Sequence, residues 1–178
     1  MEINPKIYFD SCCFIDIVAE DANIATKVDR KYCVQCYRNL LNESKKNKII
    51  VFTSFFSIAE CLHVNDENNK KVLTDEIKRL FDSILLSGLS GVTPIMPTIG
   101  IIKLARQLSW DDITLKPYDL LHIASALETG CNEFITTDIN SIDKDGNIAK
   151  IQTHGLKVIN VIGSKYLTTE VIQTHMGL

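Results

Sequence analysis

The sequence predicts an α/β domain with a central parallel sheet and helices on both faces. Two observations carry that prediction. Short apolar runs of strand length alternate along the chain with longer stretches of helical periodicity, the pattern of βαβ units. Two acids, Asp10 and Asp138, directly follow such runs, and open parallel sheets bind ligands beyond the carboxyl ends of their strands.

Residues 7–9 (Ile-Tyr-Phe) read as a first buried strand ending at Asp10. A short helix over about 13–20 and a longer one over about 27–48 follow. Residues 49–52 (Ile-Ile-Val-Phe) form a second strand, and Ser54 or Ser57 caps a helix carrying Glu60. A charged helix is expected over about 66–86, with Val72, Leu73, Ile77, Leu80, Phe81 and Ile84 at helical spacing. Residues 92–96 form a weaker third strand, which Pro94 assigns to an edge. Helices over about 98–108 and 117–129 precede a fourth strand at 133–136. A fifth follows at 157–160, after Gly155 as a helix stop.

The 178 residues suit one domain, residues 1–178, with helical extensions around 27–48 and 66–89. No repeat or Pro/Gly/Ser-rich linker interrupts them. A hydrophobic share of 46% against 23% charged residues supports a folded core. The net charge of -3 argues against coating nucleic acid by bulk positive charge, but leaves room for local binding. Residues 1–6 lack the basic-then-apolar pattern of an export signal. The most apolar stretch, 49–62, is too short for a membrane span and contains Glu60. The expectation is a soluble, cytoplasmic protein. Six cysteines, including the adjacent Cys12 and Cys13, do not form a secreted disulfide framework. Cys33 and Cys36 have metal-ligand spacing but no second pair, so buried thiols are expected.

Four acids stand out by position: Asp10 after the first strand, Glu60 after the second, Asp119 in the first turns of a helix, and Asp138 after the fourth strand. Each has a local structural reading. Asp10 can cap the next helix, and Ser57-Ile58-Ala59-Glu60 matches a capping box. Asp119 can favour the positive end of its helix dipole, and Asp138 can make a turn. These readings do not explain why all four map to one edge of the sheet. Carboxylates gathered there repel one another unless a cation lies between them, and Mg²⁺ or Mn²⁺ takes such oxygen ligands.

The order of these residues resembles the PIN domain family. The matching pieces are Asp10-Ser11, the serine-plus-Glu60 segment, Asp119-Leu120-Leu121-His122-Ile123-Ala124-Ser125-Ala126, and Phe134-Ile135-Thr136-Thr137-Asp138. The resemblance spans about residues 7–161. It implies a three-layer α/β/α sandwich and a metal-dependent nuclease, and many small members are ribonuclease toxins of toxin–antitoxin pairs of the VapC type. Asp10, Glu60, Asp119 and Asp138 then take the positions of the acidic cluster. Asp10 and Asp119 would ligate Mg²⁺ or Mn²⁺ directly, and Asp138 and Glu60 would act through water. Ser11 would support the Asp10 turn, and Thr136 would orient Asp138 or a water. The partners to look for are an RNA substrate, an antitoxin protein and a second copy of the chain, with no membrane.

Two residues depart from the family pattern. Cys12 stands where many members have Asn, and Asn140 where some have a further acid. His122 can act as a base, but fixing the helix that carries Asp119 is the favoured role. Trp110 has readings as a base-stacking, a core and a rim residue. A receiver-like domain would need a lysine that Lys165 does not supply. A haloacid-dehalogenase-like phosphatase would need a second acid at Cys12. A non-catalytic PIN-like module that binds RNA or protein stays open.

Charge is segregated along the chain. Residues 27–48 hold seven bases (Lys27, Arg30, Lys31, Arg38, Lys45, Lys46, Lys48) and two acids (Asp29, Glu43). Residues 109–145 hold eight acids (Asp111, Asp112, Asp119, Glu128, Glu133, Asp138, Asp143, Asp145) and two lysines (Lys116, Lys144). Lys45, Lys46 and Lys48 are candidates to hold RNA phosphates beside the acidic site, with a solvated helix face as the competing reading.

Overall fold

A computed structural model of the protein describes residues 4–24 and 28–169, with Val28 and Asp29 as backbone only. The strands β1 (Lys6–Phe9), β2 (Ile50–Ser54), β5 (Val92–Ile95), β6 (Glu133–Ile135) and β7 (Lys157–Ile159) form one sheet in the order β5-β2-β1-β6-β7. Every neighbouring pair in it is parallel. A second, two-stranded antiparallel sheet pairs β3 (Val64–Asn65) with β4 (Lys71–Val72). The chain steps outward from β1 through β2 to β5, then returns across the sheet to β6 and β7. The strand order therefore reverses between β1 and β6, the switch point at which such sheets open a crevice.

Strand alternation divides the core. Ile7 and Phe9 of β1 point into one apolar cluster with Val51 and Ile135, packed by Phe14 and Ile17 of α1 (Ser11–Asp21), Tyr37 and Leu40 of α2 (Val28–Lys45), and Phe81 of α4 (Asp75–Leu85). Tyr8 points to the opposite face and joins Phe134 and Val158. There it meets Ile101 and Leu108 of α5 (Ile99–Trp110), Ile123 and Ala126 of α6 (Pro117–Glu128), and Ile151 of α8 (Asn147–Thr153). Two helical layers thus enclose a sheet whose central strand buries both faces, as all-parallel sheets require. The expected three-layer sandwich is present. β5 pairs only with β2, so Pro94 does sit on an edge strand. Gly155 adopts φ +88° directly after α8, which explains why that helix stops there.

The helix expected over 66–86 is shorter than predicted. Asp66 Oδ1 accepts the backbone N–H groups of Asn68 and Lys70 at 2.8 and 2.9 Å, and Asn69 takes φ +59°. This local turn closes the β3–β4 hairpin before a helix can start. The helix begins only at Asp75, where Thr74 Oγ1 accepts the Ile77 N–H at 3.2 Å and two acids occupy the first turn. The predicted helix start at Lys27 lies outside the described residues. Among those described, no helix is long and apolar enough to cross a membrane. Cys13, Cys33, Cys36, Cys61 and Cys131 are buried unbridged thiols, and Cys12 is half-buried.

One charge is buried against α2. Asp16 on α1 is 2% exposed, and its Oδ1 accepts from Arg30 at 2.7 Å while Oδ2 has no partner. Burial raises its pKa from 3.8 to about 6, against the pull of the Arg30 guanidinium. Native protein thus binds more protons than unfolded protein between those values, so this group's contribution to stability falls as pH rises through that window. Urea unfolding should show Asp16→Asn gaining on the wild type by up to about 3 kcal/mol between pH 4 and pH 7. A difference that is flat with pH would contradict this account of Asp16.

Candidate active site at the carboxyl edge of the sheet

Asp10 leaves β1 at the switch point and serves as N-cap of α1, its Oδ1 accepting the Ser11 N–H at 2.8 Å. The capping reading of Asp10 therefore holds, but it uses only one oxygen. Oδ2 accepts the Thr136 hydroxyl at 2.8 Å, and the same hydroxyl accepts the Asp138 N–H at 3.1 Å. Thr136 thus orients Asp10 by its side chain and holds the backbone of Asp138, where the expectation was that it would orient Asp138 or a water. The Cys12 thiol lies 3.4 Å from both Asp10 Oδ2 and Thr136 Oγ1 and accepts the Thr137 N–H at 3.2 Å. The sulfur thus links the first turn of α1 to the segment that follows β6.

The capping box at Ser57–Glu60 does not form. Helix α3 (Phe55–Glu60) starts after Ser54, so Ser57 lies inside it and Glu60 at its end. The buried Thr53 hydroxyl bridges the Phe9 carbonyl at 2.8 Å and the Ser57 hydroxyl at 2.7 Å. Glu60 is instead turned toward α6, where its Oε2 meets His122 Nε2 at 2.8 Å. His122 is 1% exposed, and its Nδ1 lies 2.7 Å from the Tyr8 hydroxyl and 3.2 Å from Ser54 Oγ. One imidazole therefore ties α6 to β1, β2 and α3 together. That is the structural role anticipated for His122, extended to the orientation of Glu60.

Ligand atoms of Asp10, Glu60 and His122 all fall within 4.8 Å of one another. Burial alone would raise the Glu60 carboxyl, but hydrogen bonds from His122 and Ser11 and the His122 charge hold it below its usual range. Burial would likewise lower His122, yet the Glu60 hydrogen bond and the charges of Asp10, Glu60 and Asp119 hold it above its ordinary value. Burial and the Asp10 charge raise the half-buried Asp119, with smaller opposing effects from His122 and Lys116. Burial and the Asp10 charge thus both disfavour ionised Asp119, and the carboxylate oxygens of Asp10, Glu60 and Asp119 are the ligand type that a hard divalent cation takes. Both ring nitrogens of His122 are engaged within the fold, Nε2 by Glu60 and Nδ1 by Tyr8, so the ring acts here as the partner of Glu60.

The site brings three of the four expected acids together. Asp138 is exposed at the rim, and no hydrogen bond or ion pair reaches its carboxylate among the described residues. Lys45, Lys46 and Lys48 lie elsewhere. They precede β2, and so sit at the amino edge of the sheet, opposite the acids. Lys46 and Lys48 each pair at 2.7 Å with the buried Glu43. Arg30 and Arg38 pair with Asp16 and Asp21, so two of the four bases on α2 are engaged within the fold. Lys27 lies outside the described residues. Trp110 is exposed, with the Arg106 guanidinium over its ring at 4.7 Å, which removes the core reading.

A parallel sheet with carboxylates gathered at its switch point places the chain among the open-sheet α/β domains. This chain belongs to the PIN domain family, whose model, described as PIN domain, matches residues 7–146. Its fold is similar to that in the crystal structure of VapBC2 from Rickettsia felis bound to a DNA fragment from their promoter. That match has a TM-score of 0.55 at 15% identity, covering 87% of this chain and 98% of that one. FitAcB from Neisseria gonorrhoeae matches with a TM-score of 0.53 at 13% identity, over 89% of this chain and 99% of that one. FitAB bound to an IR36 DNA fragment matches with a TM-score of 0.51 at 14% identity, over 87% and 94%. No curated protein matches the chain.

The burial of His122 makes a stability prediction. His122→Ala removes one partner each from Glu60 Oε2 and from the Tyr8 hydroxyl, which keeps the Ser54 N–H at 3.0 Å, and leaves a cavity in the core, and should lower unfolding free energy by about 2–4 kcal/mol. Asp138→Ala, at the exposed rim, should change it by less than about 0.5 kcal/mol. Chemical denaturation of the two variants compares them directly, and equal losses would contradict the placement of Asp138 outside the buried network.

Proposed function

We propose that the protein is a metal-dependent endoribonuclease and the toxin of a toxin–antitoxin pair. The observation that carries this reading is the convergence of Asp10, Glu60 and His122 within 4.8 Å, beside a like-charged Asp119, in a chain of the PIN domain family. Asp10 and Asp119 would hold Mg²⁺ or Mn²⁺, and Asp138 would reach it from the rim through water. When bound, such an ion offsets charge on the phosphodiester and lowers the pKa of a coordinated water.

The rest of the mechanism belongs to the chain. Thr136 and the α1 backbone fix both oxygens of Asp10, so the carboxylate meets its ligand without further ordering. His122 keeps Glu60 ionised and aimed, which suits a group that positions the attacking water and takes up its proton. Hydrolysis would leave a 5′-phosphate and a 3′-hydroxyl. The antitoxin and a second copy of the chain are proposed partners by the same family resemblance.

Purified protein with Mg²⁺ or Mn²⁺ should cleave total RNA or structured tRNA, and EDTA should stop it. Asp119→Asn should lower the rate by more than about 100-fold, since losing even an outer partner of a metal ligand costs 10- to 100-fold. Expression of the wild type should arrest growth of a bacterial host, and Asp119→Asn should relieve the arrest. Cleavage that survives Asp119→Asn would remove the mechanism. Uniform resistance of RNA together with tight binding to a protein partner would identify a non-catalytic module.

A further inference from the structure

The acid cluster has an aromatic wall that the proposed chemistry does not use. Phe56 and Glu60 lie four residues apart on α3, and Tyr118 and His122 four apart on α6, so each pair shares one helix face. The Phe56 ring meets the Tyr118 ring at 6.4 Å and 69°, and the His122 ring at 6.4 Å and 85°. Glu60 and His122 meet one turn further along the same two helices. Tyr118 is 58% exposed and Phe55 38%, although Tyr118 immediately precedes Asp119. An exposed ring thus packs at a steep angle against a half-buried one beside the acids. Lys116, exposed at the start of α6, adds a positive charge beside it.

We infer that Tyr118, backed by Phe56, is a stacking surface for an unpaired nucleobase next to the phosphate held at the acid cluster. This rests on the nuclease reading and narrows it, because the substrate is then single-stranded where it is cut. A flat π-surface accepts any base, as sequence-tolerant single-strand binders do, and Lys116 supplies the accompanying phosphate contact. A base within a duplex is already stacked on both faces and presents no face to the ring.

The test is equilibrium binding of a fluorescent single-stranded oligoribonucleotide of mixed sequence, with Ca²⁺ in place of Mg²⁺. It therefore reads binding separately from cleavage. Tyr118→Ala should weaken binding at least about fivefold, and Tyr118→Trp should restore it. The same strand made abasic should bind the wild type and Tyr118→Ala equally, and a duplex of the same sequence should bind more weakly than the single strand. Unchanged affinity in Tyr118→Ala, or an equal loss for the abasic strand, overturns the inference. Loss of cleavage in Asp119→Asn does not bear on it. An inactive wild type that still binds through Tyr118 would overturn the nuclease reading and leave the stacking surface standing.

Discussion

Like charges do not gather unless something holds them, and the carboxyl edge of this sheet is organised around that constraint. Asp10, Glu60 and Asp119 come from three separate segments of the chain and approach within range of one another's fields. The repulsion is borne by rigid neighbours. Asp10 is pinned by a helix start and by Thr136, and Glu60 is held by an imidazole that is itself anchored to two strands. Preorganisation of this kind places the cost of gathering charge in the folding of the domain rather than in the binding of a ligand.

His122 is the joint through which this cost is distributed. Its position on the buried face of α6 brings a protonatable group to a place where the carboxylates of Asp10, Glu60 and Asp119 favour its charged form. Tyr8, stacked on Phe134 at 5.1 Å, gives the other side of the ring a partner fixed in the core. The apolar packing of the sheet and the polarity of the site are thus joined at a single side chain, on the strand that also delivers Asp10.

Much of this was legible in the sequence because the signals were local. Strand-length runs ending at Asp10 and before Asp138 gave the sheet and its edge, and the Asp119-x-x-His122 spacing gave a helix with both residues near its start. What the sequence left obscure depended on three-dimensional register. Ser57-x-x-Glu60 has the spacing of a capping box, and only the helix start at Phe55 decides that it is not one. Apolar residues at 72 and 73 continue a helical period into α4, while the Asp66 turn overrides it. The lysines of residues 45–48 looked available for phosphate because a linear charge count shows neither Glu43 beneath them nor the sheet edge they occupy. Asp138 had the right place in the order of motifs, but its carboxylate stands outside the buried network.

The hydrogen bond from Thr136 to Asp10 joins residues 126 positions apart. Asp10 and Glu60 are synthesised early, yet neither has its full set of neighbours until β6 has inserted beside β1 and α6 has docked His122. Pairing across so long an interval is among the slower events of folding, because loop closure must be met before the contact forms. A growing chain therefore carries the separate pieces of the site for most of its synthesis without the assembled whole. The order of the strands means that the acid cluster can assemble only after α6 and β6 have been made.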